Sequence, residues 1–212
     1  MSEQTDTPKE NIDKEEIYYD QRSVALRTTQ SIYFVKEHDK TAMLELLLND
    51  YKEMQVVVVV KSKKKADALS AFLSAKGFSA SSVHGNHREE QQQEAAAKFN
   101  AGSLHIIITT DMILKKLALE NIKLILSYDL PDVAQEYYNR LAYMKELGAA
   151  IALVSLEDEQ SLVDIEYNMK AEIEEKTVEG FVASPKPSKT GKMKKDRTKK
   201  PRHRKDRVKK EQ

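Results

Sequence analysis

The chain has 212 residues, of which 40% are hydrophobic and 33% charged, and its mean hydropathy is −0.62. That length allows one full domain with appended segments. Cysteine is absent, which excludes disulfide and thiolate chemistry. No apolar run is long enough to cross a bilayer, and residues 1–16 lack the apolar core of a signal peptide. We therefore expect a cytoplasmic protein that does not contact membranes.

The net charge of +1 conceals two regions of opposite sign. Residues 184–212 contain 14 Lys and Arg but only 3 Asp and Glu, a net charge of +11. Residues 1–183 contain 21 basic and 31 acidic side chains, a net charge of −10. An acidic body with a basic extension points to a polyanionic partner.

The first part of the chain changes from polar to strongly apolar. Residues 1–28 have mixed charge and no periodicity, which predicts a flexible N-terminal segment. A short strand is predicted over 31–35, and helical spacing of leucines predicts a helix over 39–49. The valine run 56–60 predicts a strand that is covered on both faces, as is typical of parallel sheets.

Helices and strands then alternate along the rest of the body. Helices are predicted over 62–75, 88–99, 132–147 and from 155 onward, and strands over 80–83, 104–108, 122–126 and 149–154. Ser62 is expected to cap its helix and Gly77 to follow its end. Ser155 and Asp158 are expected to cap the last helix.

This alternation predicts an α/β domain with a mainly parallel sheet and helices on both faces. We place the domain at residues 29–178, followed by a polybasic tail at 184–212 with almost no apolar residues. Ligands of such sheets bind at the carboxyl ends of the strands. The polar residues expected there are Lys61, Ser62, His84, Gly85, Thr109, Thr110, Asp111, Tyr128 and Asp129.

The helix start at Ser62 could hold a phosphate. Its first turn carries Lys63, Lys64 and Lys65, so unpaired backbone amides and lysines share one helix terminus. Three solvated lysines would explain the same pattern equally well.

A second candidate follows the strand at 104–108. The hydroxyl of Thr110 could donate to a phosphate oxygen, Asp111 could hold a neighbouring loop, and Lys115 lies just beyond. A simple cap between the strand and a turn is the alternative interpretation.

Other chemical motifs are missing from the sequence. His84 and His87 have H-x-x-H spacing, but no third ligand is evident, so we interpret His84 as a hydrogen-bonding residue and expect no metal. None of the six glycines forms a phosphate loop, and there is no nucleophile elbow. We therefore assign no catalytic residue and no cofactor.

The basic tail is the strongest physical signal in the sequence. Lysines and arginines that neutralise phosphates release counterions, so such a tail binds nucleic acid without sequence preference. Aromatic residues are absent after Phe181, which excludes base stacking as its mode. A solubilising role or attraction to another acidic surface are the alternatives. The tail cations that we expect to contact phosphate include Lys194, Lys195, Arg197, Arg202 and Arg204.

Several of these segments occur in the order seen in one known family. Residues 83–85 read VHG, residues 106–111 end in TTD, residues 127–131 read SYDLP, and Tyr137 and Arg140 share one helix. Residues 29–156 thereby resemble the C-terminal RecA-like domain of DEAD-box RNA helicases. The resemblance implies RNA as the partner. It also implies sugar–phosphate contacts from Ser62, Lys63, Lys64, His84, Gly85, Thr110, Asp111, Lys115 and Arg140.

The departures from this family concern the nucleotide. Ala118 stands where the family has an aspartate that helps to hold nucleotide, and Tyr143 and Glu146 stand where it has arginine fingers. We also expect the family's N-terminal domain, with its phosphate loop and magnesium site, to be missing, because residues 1–30 are too few to form it. The resemblance thus implies a domain that binds RNA without hydrolysing ATP.

The sequence therefore predicts a non-catalytic RNA-binding protein on a degenerate helicase C-terminal domain. Two alternatives remain open. The chain could be a protein-interaction scaffold for a helicase, a ribosome-assembly factor or another ribonucleoprotein component. It could also be the C-terminal half of a split ATP-dependent RNA helicase.

Overall fold

The computed structural model describes residues 28–144 and 148–185. Its strands are β1 (Thr29–Phe34), β2 (Val56–Val59), β3 (Ala80–Val83), β4 (Ile106–Thr109), β5 (Leu124–Ser127), β6 (Ala149–Val154) and β7 (Glu174–Glu175). Its α-helices are α1 (Lys40–Asp50), α2 (Lys63–Ala75), α3 (Glu89–Asn100), α4 (Asp111–Leu114), α5 (Ala134–Ala142) and α6 (Glu159–Met169). None of these helices is long and apolar enough to span a membrane.

The described strands form one parallel sheet in the order β3-β4-β2-β5-β6-β1-β7. The valine strand β2 lies between β4 and β5, and all four of its residues are buried. Isoleucines of β4 and leucines of β5 flank it, so the centre of the sheet is continuously apolar, as the valine run predicts.

Helices cover both faces of the sheet. On one face α1 and α2 pack through Leu44, Leu48 and Leu73. On the other face the remaining helices pack through residues such as Phe99 and Ile165. The predicted α/β class with a mainly parallel sheet is confirmed.

The local signals at helix ends differ in how well they predict the boundaries. The Ser62 hydroxyl accepts the Lys65 amide N–H at 3.3 Å, and Gly77 has a φ of +86°, so both predicted ends of α2 are confirmed. The helix predicted over 132–147 instead begins at Ala134 and ends at Ala142, because Val133 is still extended. Its expected end at Leu147 lies outside the described residues.

A buried lysine forms ion pairs between the segment that follows β1 and the segment that follows β6. Lys40 is fully buried, and its Nζ lies 2.6 Å from Asp158 Oδ2 and 3.1 Å from Glu37 Oε2. Asp158 also accepts from the amide and hydroxyl of Ser155, but the side chain of Asp158 makes no capping hydrogen bond to α6, so the predicted capping role of this pair is wrong. Burial alone would raise the pKa of Asp158, but the bonds from Lys40 and Ser155 outweigh it and lower this pKa.

Contacts of the body continue beyond β7 as far as Ser184. Val178 and Phe181 pack against the α1–α2 face. The Ser184 amide donates to Asp39 Oδ2 at 3.1 Å, and the Lys36 ammonium donates to the Ser184 carbonyl at 3.0 Å. Residues 1–27 and 186–212 lie outside the described part of the chain.

Candidate nucleic-acid interface

Parallel strands bring their carboxyl ends to one edge of the sheet, and a cleft of about 590 Å³ opens there. We call it the carboxyl-edge cleft. It lies beyond the ends of β2, β3, β4 and β5. Its lining comprises Val60, Lys61, Lys63, His84, Gly85, Asn86, Thr110, Asp111, Met112, Ile113, Pro131, Asp132, Val133 and Glu136.

The structure brings together most of the site residues predicted for the body. Lys63, His84, Gly85, Thr110 and Asp111 line the carboxyl-edge cleft. The other predicted members at the start of α2, Ser62 and Lys64, are exposed beside it.

Lys65, the third lysine of this helix turn, is used inside the protein. Its Nζ lies 2.7 Å from Asp129 Oδ1 and 3.0 Å from Glu37 Oε1. Partial burial lowers the pKa of Lys65, but these two bonds outweigh it and raise the pKa above the ordinary value. Only part of the lysine cluster therefore faces the cleft.

Two cleft lysines have partners that a ligand could replace. Lys61 Nζ lies 2.6 Å from Asp132 Oδ1, and Lys63 Nζ donates to Asn86 Oδ1 at 3.0 Å. Both pairs are exposed, and exposed pairs contribute only about 0–1 kcal/mol. A phosphate can therefore compete for these ammonium groups.

Backbone and hydroxyl groups complete the polar wall of the cleft. Gly85 is exposed, and a Cβ added to it would touch only Ile113 Cδ1, at 3.8 Å. Thr110 precedes α4 without bonding to that helix through its side chain, which disfavours the interpretation as a simple cap. Thr109 is fully buried, so of the two threonines only Thr110 lines the cleft.

Arg140 lies beneath the cleft rather than in it. Its Nε and Nη2 donate to the two carboxylate oxygens of Asp111 at 2.7 and 2.8 Å. Its Nη1 donates to Ser127 Oγ and to the Asp129 carbonyl, both at 2.8 Å. The side chain is 1% exposed, so the predicted contact between Arg140 and a phosphate is not compatible with this structure. Arg140 instead positions the strand ends that form the cleft.

The two histidine rings stack, and His84 is also hydrogen-bonded to Asp67, a residue whose role could not be predicted from the sequence. Asp67 Oδ1 lies 2.8 Å from His84 Nε2, and the His84 and His87 rings stack at 4.1 Å. The Asn86 amide donates to His84 Nδ1, which makes Nε2 the donor to Asp67. Burial lowers the pKa of His87. These three side chains could offer metal ligands, but both His84 nitrogens have hydrogen-bond partners within the protein.

Of the positions expected to contact nucleotide, Ala118 and Tyr143 do not line the carboxyl-edge cleft. Ala118 is exposed, and its carbonyl accepts from Asn100 Nδ2 at 2.8 Å. Tyr143 packs against the apolar cluster around α5, and burial raises its pKa. Lys115 does not line the cleft but pairs with Glu136 at 2.9 Å. Glu146 lies outside the described residues, as do the five tail cations Lys194, Lys195, Arg197, Arg202 and Arg204.

Comparisons with known proteins agree with this geometry. The family described as "Helicase conserved C-terminal domain" matches residues 39–142. The chain is 32% identical over 166 residues to the ATP-dependent RNA helicase SUB2 of Eremothecium gossypii, a match that covers 76% of this chain and 38% of SUB2. The chain thus spans less than half of that relative.

Solved structures show the same fold. A DEAD box protein of Methanococcus jannaschii superimposes with a TM-score of 0.67 at 25% identity, over 73% of this chain and 43% of that one. Dbp5 of S. cerevisiae, bound to RNA and ADP BeF3, gives 0.64 at 23% identity, over 72% of this chain and 41% of that one.

The parallel sheet with ligand-facing strand ends defines a RecA-like domain. More specifically, the chain contains a C-terminal helicase domain of the DEAD-box RNA helicase family.

We predict that Arg140→Gln lowers the free energy of unfolding by about 3 kcal/mol, because it leaves Asp111 without its buried cationic partner. Urea denaturation followed by circular dichroism measures this change. Lys64→Gln is the matched control, since Lys64 is exposed, and its effect should stay within about 0.5 kcal/mol. Equal stability of the two variants would contradict a structural role for Arg140.

Proposed function

We propose that this chain binds RNA without hydrolysing ATP, through the carboxyl-edge cleft and the basic tail. The observation that carries the proposal is the cleft itself. It combines the ammonium groups of Lys61 and Lys63 with the open backbone of Gly85 and the hydroxyl of Thr110. This set of donors suits the phosphate oxygens of a nucleic acid backbone and carries no means of reading base sequence.

The start of α2 adds to this set. The Ser62 oxygen accepts a backbone N–H, which leaves the hydroxyl hydrogen available as a donor. The N-terminus of a helix of 13 residues carries a partial positive charge, and Lys64 is exposed beside it. Phosphates that pass along the cleft would therefore meet cationic groups at its rim.

The basic tail would supply most of the affinity. Its net charge of +11 opposes the −10 of residues 1–183, so the cleft lysines alone attract a polyanion weakly. Dbp5 was solved with RNA bound, and this supports RNA as the ligand of a domain with the same fold. The cleft would then orient a strand that the tail attracts.

The proposal of no ATP hydrolysis rests on the nucleotide-facing residues, independently of where the chain begins. Ala118 has no carboxylate, and Tyr143 and Glu146 lack the guanidinium groups that stabilise charge on a transferring phosphate. Tyr143 is instead part of an apolar cluster. These three substitutions also argue against the chain as one half of a split helicase.

Gly85→Ala tests the cleft with little risk to the fold, because the added methyl group only touches Ile113. We expect unchanged stability but an affinity for a fluorescein-labelled 12-nucleotide uridine RNA that is weaker by roughly tenfold, since the methyl group displaces the backbone phosphate. Fluorescence anisotropy measures the affinity. Unaltered binding would show that RNA does not pass over Gly85.

Deletion of residues 186–212 tests the tail. The deletion removes 14 Lys and Arg, and each phosphate contact on a single strand contributes about 0.7 to the salt slope. If six of these side chains contact phosphate, the slope of log K against log salt should decrease by about 4. A shuffled tail of the same composition is the matched control and should restore binding. An unchanged slope after truncation would exclude the tail from the interface.

ATP turnover by the purified full chain should remain at the level of the blank, with or without uridine RNA. A coupled assay across the fractions of the last chromatographic column measures this. Turnover that follows the protein peak and disappears in Tyr143→Ala would contradict the proposal. RNA-stimulated turnover that arises only when a separate N-terminal helicase domain is added would favour the split helicase.

A further inference from the structure

The outer face of α6 carries large apolar side chains that no described residue covers. Leu156 is 86% exposed, Val163 55% and Tyr167 81%. Val163 and Tyr167 are four positions apart, which places them in one row along the helix, and Leu156 lies in the turn that precedes α6. The opposite face buries the expected core stripe of Leu162, Ile165 and Met169. The helix is therefore apolar on two sides, although only one side faces the core.

The row is bordered by acidic side chains. Helical spacing places Glu159 and Glu166 along one flank and Asp164 along the other. A shallow depression runs past Val163 and Tyr167 and is also lined by Glu166 and Glu172. Lys170 is the cation that shares this depression. The surface thus combines exposed apolar area with a negative border, which is unfavourable for RNA and for anionic lipids.

Neither undescribed end of the chain has the composition to cover this row. Residues 1–27 include apolar side chains, but they carry 4 basic and 7 acidic residues and would be repelled by the acidic border. Residues 186–212 are strongly basic, but Met193 and Val208 are their only large apolar residues. An occupant needs positive charge and apolar anchors together.

We propose that the row formed by Val163 and Tyr167 docks a cationic amphipathic helix of a partner protein. Apolar residues of that helix at spacings of three and four would pack on the row, and flanking lysines or arginines would pair with Glu159, Glu166 and their neighbours. Tyrosine is a frequent energetic centre of such interfaces. None of the row residues lines the carboxyl-edge cleft, so the docking surface adds to the proposed RNA binding and does not depend on it.

The test uses the full chain labelled with 15N and a synthetic 18-residue helical peptide of leucines and lysines in a heptad pattern. A scrambled peptide of the same composition is the control for charge alone. We expect amide shifts concentrated in 156–172 and an affinity at least tenfold tighter than for the scrambled peptide. The double variant Val163→Glu/Tyr167→Glu should lose at least tenfold in affinity while its spectrum stays folded. Val182→Glu, also at an exposed apolar residue, should bind like the wild type.

Four outcomes would overturn the docking proposal. They are equal affinity for both peptides, shifts centred elsewhere, undiminished binding by the double variant, and self-association that Tyr167→Glu abolishes. The last outcome would show that a second copy of the chain covers the row. RNA affinity of the double variant should equal that of the wild type, so failure of docking and failure of RNA binding can be distinguished.

Discussion

The carboxyl edge of this domain depends on one buried guanidinium. Arg140 binds both oxygens of Asp111 and also holds Ser127 and the Asp129 backbone. It thereby fixes the end of β5 and the start of α4 relative to α5. Such a bidentate pair, in which the guanidinium is buried and the carboxylate is partly buried, is directional, and removal of the buried partner is costly. The pair thereby holds together the strand ends at the β4 and β5 side of the cleft, where Thr110 lies.

Two regions near the carboxyl edge of the sheet differ in character. Around Gly85 and Thr110 the surface stays open and polar, as a nucleic acid backbone requires. Around Ala118 and Tyr143 the groups that would serve a nucleotide are replaced, and Tyr143 packs into an apolar cluster. This packing is compatible with the proposal that the domain binds RNA without hydrolysing ATP. The acidic body and the row on α6 are consistent with a domain that acts by binding partners and not by catalysis.

The sequence predicts the sheet well because its signals are local. Five consecutive valines permit few structures other than a buried parallel strand, and the Ser62 cap and Gly77 bracket α2 unambiguously. The role of Arg140 could not be predicted, because its burial depends on Asp111, which is 29 residues away in the chain. The inward turn of Lys65 and the contact of Asp67 with His84 likewise arise only from tertiary packing. The family resemblance implies a phosphate contact for Arg140, whereas in the structure its side chain is buried and holds the strand ends in place.

We propose that the carboxyl-edge cleft binds RNA although the residues expected to hold nucleotide are replaced. Titration of the 15N-labelled chain with an unlabelled 12-nucleotide uridine RNA tests it most directly. We predict amide shifts at Ser62–Lys64, Gly85, Asn86 and Thr110, with no change at Val163 or Tyr167. Shifts confined to the tail, with the cleft amides unmoved at saturating RNA, would contradict it.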